Sequence, residues 1–356
     1  MRARTMLVLL AVFGMTAPAV AGTGAAPNDL PELATGAGHF EVKGGAGREK
    51  RAITVHYYRP QTFTVAAPVL MTMPGAGRNG DDYRDAWIEA SEKYGVLILS
   101  PGYPEKHYPE YWSYNLANMA ASVTLDLAIK VDANPQTWKL DDVLESAPEG
   151  SGLLHQLTLL QKAGMISSVD VEGTNLTVNT DRRAWLFGDF DRIFDIARRA
   201  LDLKADTYDL FGHSAGGQIL HRLALFHPDS RANRILASNS GWYTLPDFDI
   251  AFPYGLKETG LTEGELAAAF EIRLVVFLGE EDDAGETRGS VRHTPAANAQ
   301  GLHRLARGRN FFQSAKVAAD KLDADFNWTL EIVPGIGHDY RRMSAAAADY
   351  LYGKED

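Results

Sequence analysis

From about His39 onward, apolar positions in this chain alternate between a period of two and a period close to 3.6. The runs Ala52 to Tyr58, Val69 to Met73, Val96 to Ser100, Thr207 to Phe211, Arg234 to Ala237, Arg273 to Leu278 and Trp328 to Val333 have strand character, being short, apolar and bounded by turn formers. Between them lie stretches with helical spacing: Asp81 to Lys93, Trp185 to Leu203, Ala215 to Phe226, Phe311 to Leu322 and Tyr340 to Tyr350. In the second of these, Phe187, Phe190, Ile193, Phe194 and Ile196 approximate one stripe. Strands that alternate with helices predict βαβ units and an α/β class, with a mainly parallel central sheet flanked by helices.

The rhythm breaks between Ser100 and Trp185, where more than 80 residues intervene against a usual connection of about 2 to 6. Residues 105–184 are therefore predicted to be an insertion that forms a cap over the pocket. Inside it, Leu153, Leu157 and Leu160 predict a short helix, and Val169 to Val171 with Leu176 to Val178 predict a hairpin turning at Glu172 to Asn175. At the other end, Arg2 and Arg4, the apolar run Met6 to Met15 and Ala19-Val20-Ala21 have the layout of a signal peptide cut near Ala21, which predicts a secreted or periplasmic protein. Residues 22–37, rich in Gly, Ala and Pro, read as a flexible lead-in to a single domain over 38–356. The apolar run is too short for a stable membrane anchor.

Composition narrows the chemistry. With no cysteine and 45% hydrophobic residues, stability rests on the core rather than on disulfides. The formal charge of −11 becomes −13 once Arg2 and Arg4 are removed, which repels phosphate backbones and argues against nucleic acid as a partner. Ten histidines with no HExxH or similar spacing, and no thiolates, predict neither a metal nor a cofactor.

A serine hydroxyl is a weak nucleophile at neutral pH, so an enzyme using one must expose it, give it a base and stabilise the oxyanion. Gly212-His213-Ser214-Ala215-Gly216-Gly217 lies between a predicted strand and a predicted helix, where a sharp turn exposes the serine only if its neighbours are very small. Ser214 is the candidate nucleophile, and the Ala215 backbone N–H, at the helix start, is one candidate oxyanion donor. The acid and the base should follow, each just past a later strand. After Leu278 comes Gly279-Glu280-Glu281-Asp282-Asp283, with Asp282 favoured as the acid over Asp283 and the two glutamates; after Val333 comes Pro334-Gly335-Ile336-Gly337-His338, with His338 as the base. The remaining histidines lie within or at the end of predicted helices, near the N-terminus or in the insertion, His213 packs in the turn, and His293, after the acid loop, is a candidate for lining the pocket.

The loop after the third strand, Pro74-Gly75-Ala76-Gly77-Arg78-Asn79, supplies the second oxyanion donor from Ala76 or Gly77. Aromatic residues follow two strand exits, Tyr111, Trp112 and Tyr114 on one and Trp242 and Tyr243 on the other. Strand exits in α/β folds face ligands, so these five residues are candidates for an apolar substrate platform.

Tyr208-Asp209-Leu210-Phe211 running into GHSAGG, the long helix before it and Asn239-Ser240-Gly241-Trp242-Tyr243 together resemble the α/β-hydrolase superfamily, within it the group of secreted esterases and poly(3-hydroxyalkanoate)-depolymerase-like enzymes. The resemblance spans about His39 to Leu351 outside the insertion. It implies the α/β-hydrolase fold and acyl transfer to water through Ser214, His338 and Asp282. Pro74-Gly75 departs from the His-Gly found in many relatives. The sequence therefore predicts a serine hydrolase of carboxylic esters, polyesters among them. A peptidase or amidase with the same triad, or a non-catalytic binding protein on this scaffold, are its alternatives.

Overall fold

A computed structural model describes residues 30–131 and 152–353. Ten strands are present among these residues: β1 (Gly36–Lys43), β2 (Ala52–Arg59), β3 (Val69–Met73), β4 (Leu97–Gly102), β5 (Ala120–Val131), β6 (Ile166–Val178), β7 (Tyr208–His213), β8 (Ala232–Ser238), β9 (Leu274–Gly279) and β10 (Thr329–Val333). Eight of them form one sheet in the order β1-β2-β4-β3-β7-β8-β9-β10. From β4 to β10 all neighbours run parallel, whereas β1, β2 and β4 pair antiparallel. The central strands β3, β4, β7 and β9 are buried at every residue. That burial is why they read as continuous apolar runs rather than as alternating ones.

Chain order reverses at β3: β4 lies on one side of it and β7, the next strand of this sheet, on the other. Loops leaving β3 and β7 therefore diverge from adjacent strands and open a crevice at the carboxyl edge. The register aligns Met73 with Gly212, and His213 with Ser238. Ser238 is in turn level with Phe277, and Val333 with Gly279, so the exits of five parallel strands meet along one edge.

Helix Phe187–Leu201 buries Phe187, Phe190, Ile193, Phe194 and Ala197, so Ala197 completes the stripe and Ile196 sits only partly covered at its border. Helix Ala215–Phe226 is buried at every position, packed on β7 and β8 and against the helix Glu263–Phe270. The stretch Asp81 to Lys93 differs from its sequence reading, dividing into Gly80–Asp85 and Ile88–Tyr94. The break lets Trp87 enter the core, edge-on to Phe211 at 5.4 Å between ring centroids. Helix Arg304–Leu322 starts seven residues before the predicted Phe311. Gly308, the fifth residue, lowers the helical propensity of this start in the sequence, while His303 caps it by accepting the Ala306 N–H at 3.3 Å.

The insertion holds the largest correction. Helix Leu153–Lys162 is present, but the predicted hairpin at Glu172 to Asn175 is one continuous strand, β6, whose partner β5 has no counterpart in the sequence reading. Eleven residue pairs join β5 and β6, with a register shift at Asp126/Leu127. A long antiparallel partner outcompetes a local turn that would join two strands of three residues each. The lead-in also ends earlier than predicted: β1 starts at Gly36, and the carbonyl of the buried Leu33 accepts from Arg59 Nη1 at 2.9 Å. The proposed signal peptide, residues 1–21, lies outside the described residues. No helix among the described residues is long and apolar enough to cross a membrane.

Candidate active site

Ser214 occupies the one-residue turn between β7 and the helix Ala215–Phe226, with φ 58° and ψ −112°. A non-glycine residue in that region stores on the order of 1–3 kcal/mol of strain, held here by the packing of both flanking elements. The glycines permit that packing. A Cβ at Gly212 would lie 2.6 Å from the Gly216 carbonyl carbon, and one at Gly216 would strike the backbone of Met73 and Pro74. The Ser214 N–H donates to Ser238 O at 2.9 Å, which ties the turn to β8 and leaves its side chain partly exposed among buried neighbours.

His338 Nε2 lies 3.2 Å from Ser214 Oγ, and its Nδ1 lies 2.8 Å from Asp282 Oδ2. With Nδ1–H donating to the carboxylate, Nε2 presents a lone pair to the serine hydroxyl. Burial distinguishes the four acids after β9. Asp282 is covered, whereas Glu280, Glu281 and Asp283 are exposed. Two of those exposed acids hold backbone instead, Glu280 accepting from Gly335 N at 3.0 Å and Asp283 from Gly285 N at 2.8 Å.

Three further residues, none of them among the sequence candidates, position this chain of groups. Arg304 donates to Asp282 Oδ1 at 3.0 Å and to Ser290 O at 3.2 Å. Asn239, with φ 47°, accepts from Gly279 N at 2.8 Å and donates to Gly337 O at 3.2 Å, clamping the acid loop to the histidine loop. Glu286 accepts the His338 backbone N–H at 2.5 Å, and its carboxyl is held well below the usual carboxylate range, chiefly by hydrogen bonds from Arg288. Arg304 lies far from the acid loop in sequence, and Glu286, four residues after Asp282, is one more carboxylate in an acidic stretch, so nothing in their own segments announces the role. Asn239 opens the segment Asn239-Ser240-Gly241, and its carboxamide between two strand exits is the signal that could have found it.

His213 packs its ring 4.4 Å from that of His338 and meets Tyr83 Oη through Nδ1 at 3.4 Å. Burial, then the neighbouring His338, lowers its pKa well below the ordinary histidine value, so it stays neutral. His293 is exposed and contacts Asn298 Oδ1 at 3.2 Å.

The loop after β3 runs beside the serine: a Cβ on Gly75 would sit 3.6 Å from Ser214 Cβ. Arg78 N donates to Gly75 O at 3.0 Å, closing a turn with Ala76 and Gly77 at its exposed tip. The Ala215 N–H is in the first helical turn, where no intrahelical acceptor exists. Arg78 holds this loop to the insertion, donating to Glu110 O at 2.9 Å and lying 5.1 Å over the Tyr114 ring.

The five aromatics divide. Tyr111 and Trp112 remain partly exposed, edge to face at 5.0 Å. Tyr114 and Tyr243 are fully buried, and Trp242 nearly so, which removes them from a solvent-facing platform. Their positions have packing reasons: Tyr114 Oη donates to Pro74 O at 2.7 Å, Tyr243 stacks on Phe311 at 4.6 Å, and Trp242 lies under Arg222 at 4.4 Å.

A hydroxyl, an imidazole and a carboxylate in this order can carry nucleophilic attack with proton transfer. Two solved structures are similar over most of this chain. Poly(aspartic acid) hydrolase-1 from Sphingomonas sp. KT-1 is 33% identical with a TM-score of 0.69, over 90% of this chain and 100% of the other. LpqC, a poly(3-hydroxybutyrate) depolymerase from Bordetella parapertussis, is 29% identical with a TM-score of 0.70, over 91% and 92%. No protein-family model matches the chain, and no curated protein matches it.

Proposed function

The chain belongs to the α/β-hydrolase superfamily, and from that premise we propose that it is a serine hydrolase that cleaves carboxylic esters through an acyl-enzyme on Ser214. The observation that carries this reading is the continuous hydrogen-bonded path Asp282–His338–Ser214. As Oγ attacks the ester carbonyl, His338 Nε2 takes its proton, and Asp282 holds the tautomer and stabilises the imidazolium. The oxyanion is received by the Ala215 N–H together with that of Ala76 or Gly77. Collapse of the tetrahedral intermediate breaks the C–O bond, and the Nε2 proton passes to the leaving alcohol. Water then attacks the acyl carbonyl, His338 again accepts a proton, and the acid departs from Ser214.

The Bordetella depolymerase supports extending the substrate class to polyesters. The Sphingomonas hydrolase supports a second reading, cleavage of amide bonds by the same three residues. Turnover of matched p-nitrophenyl esters and p-nitroanilides of one acid separates the two, and an insoluble polyester tests the polymer. Ser214→Ala should abolish turnover of short p-nitrophenyl esters, and unchanged hydrolysis would overturn the assignment. We also propose export by way of residues 1–21, for which the N-terminal sequence of the exported protein is the test. A cap role for 105–184 is supported by the Arg78–Glu110 and Tyr114–Pro74 contacts beside the site.

A further inference from the structure

Arg292 stands on the segment that runs from the acid loop towards the short helix Pro295–Gln300. Its guanidinium carbon lies 4.1 Å from the ring centroid of Tyr111 and 5.9 Å from that of Trp242. Its backbone is fixed from below. The buried Arg307 donates to Arg292 O at 2.8 Å and to Gly241 O at 2.5 Å, pinning the segment to the exit of β8. Three residues earlier, a Cβ on Gly289 would lie 3.4 Å from His338 Nε2, the nitrogen that faces Ser214. Tyr111 in turn follows Glu110, whose carbonyl is bound by Arg78 of the loop after β3. The Arg292–Tyr111 contact therefore joins the two loops that flank the nucleophile.

Three arginines of the loops beside it are paired with carboxylates. Arg304 meets Asp282 at 3.0 Å, Arg288 meets Glu286 at 2.7 Å and Asp339 at 3.1 Å, and Arg78 lies 3.7 Å from Glu105. Arg292 has no carboxylate within 4.0 Å among the described residues. Tyr111 and Tyr254 offer it phenol oxygens rather than a carboxylate. Of the arginines around Trp242 and Gly241 that lack a carboxylate, Arg222 and Arg307 are buried and bonded to backbone oxygens, whereas Arg292 is partly exposed. A guanidinium carries five N–H donors in a planar fork, so one that lies on aromatic faces beside two phenol oxygens keeps donors for a planar two-oxygen acceptor.

We infer that Arg292 is a carboxylate-recognising subsite, so that this enzyme favours acyl groups carrying a second carboxylate a few bonds from the scissile carbonyl. The inference rests on the Ser214 reading above. Its test is the ratio of kcat/KM for the p-nitrophenyl monoesters of succinic and glutaric acid over that for p-nitrophenyl butyrate and pentanoate, measured for the full chain and for Arg292→Gln and Arg292→Lys. Arg292→Gln should lower the ratio at least tenfold, with the loss in KM, and Arg292→Lys should fall between. Raising salt from 0.05 to 0.5 M should shrink the ratio of the unsubstituted enzyme and leave that of Arg292→Gln flat. An unchanged ratio in Arg292→Gln, or an equal loss on charged and neutral esters, would mean that Arg292 only clasps Tyr111 and would overturn the inference. Ser214→Ala measured alongside keeps the two readings apart, since residual turnover there indicts the nucleophile and not the subsite.

Discussion

Arg304 and His338 share Asp282, one on each carboxylate oxygen: Arg304 Nη1 lies 3.0 Å from Oδ1 and His338 Nδ1 lies 2.8 Å from Oδ2. Both Arg304 and Asp282 have side chains 2% exposed, so the arginine compensates a charge that water cannot reach. Removing one partner of a buried pair costs about 3–5 kcal/mol, because the other stays buried without compensation. Arg304→Met should show a loss of that size in urea denaturation. Where the variant is fully folded, kcat should fall more than KM rises, as expected of a positioning residue. Unchanged kcat would show that Asp282 is oriented without Arg304.

Space around the turn at Ser214 predicts a contrast between two glycines. A Cβ on Gly216 would lie 2.8 Å from the Met73 carbonyl carbon and 2.9 Å from Pro74 O, displacing the loop that carries Ala76 and Gly77. Gly216→Ala should cost about 1–3 kcal/mol through overpacking and should lower kcat at least a hundredfold. Gly188, in the helix Phe187–Leu201, has nothing within 4 Å of an added Cβ. Gly188→Ala should therefore stabilise by roughly 0.5–1 kcal/mol with kcat intact. Equal effects of the two substitutions on kcat would refute this reading.

His221 predicts how stability depends on pH. Its Nδ1–H donates to Gly217 O at 3.1 Å while Nε2 accepts the Thr244 N–H at 3.0 Å, an arrangement open only to the neutral ring. Burial, then the adjacent Arg222, lowers its pKa well below the ordinary value, and His213 shifts in the same direction. The unfolded chain binds the extra protons below about pH 6.5, so the unfolding free energy falls as pH drops through that value, by up to about 1.4 kcal/mol per pH unit for each histidine. Denaturation between pH 7 and 5 should show this slope, shallower in His221→Asn. Identical slopes in the two proteins would exclude His221 as a source.

Backbone closure at the base of the insertion predicts that it is separable. Asn179 N donates to Met119 O at 2.7 Å, so the excursion from β5 through β6 leaves and returns at one hydrogen bond. Replacing residues 120–178 by a two-residue turn should keep the thermal midpoint within about 5 °C, given roughly 2–4 °C per kcal/mol for chains of this size. Hydrolysis of short esters should persist while acyl-length preference changes. Aggregation of the shortened chain would show that the segment belongs to the core.

Local pattern accounts for what is legible in the sequence. The strands leading to Ser214 and Asp282 are announced by apolar runs that end in glycine, because a buried strand must be apolar and its turn must be small. Where the chain pairs with something distant, the pattern is silent or misleading. β5 and β6 find each other across the insertion, and Trp87 breaks a helix to fill the core.

Chain order alone, serine then acid then histidine after successive strands, singled out Ser214, His338 and the cluster of four carboxylates containing Asp282. Tertiary structure decided which carboxylate is buried against Arg304, which aromatic residues are covered by packing and that Arg292 meets aromatic rings rather than a carboxylate. The reason is physical: the turn at Ser214 is dictated by the size of its immediate neighbours, whereas burial and charge compensation depend on residues brought together only when the sheet and its loops close.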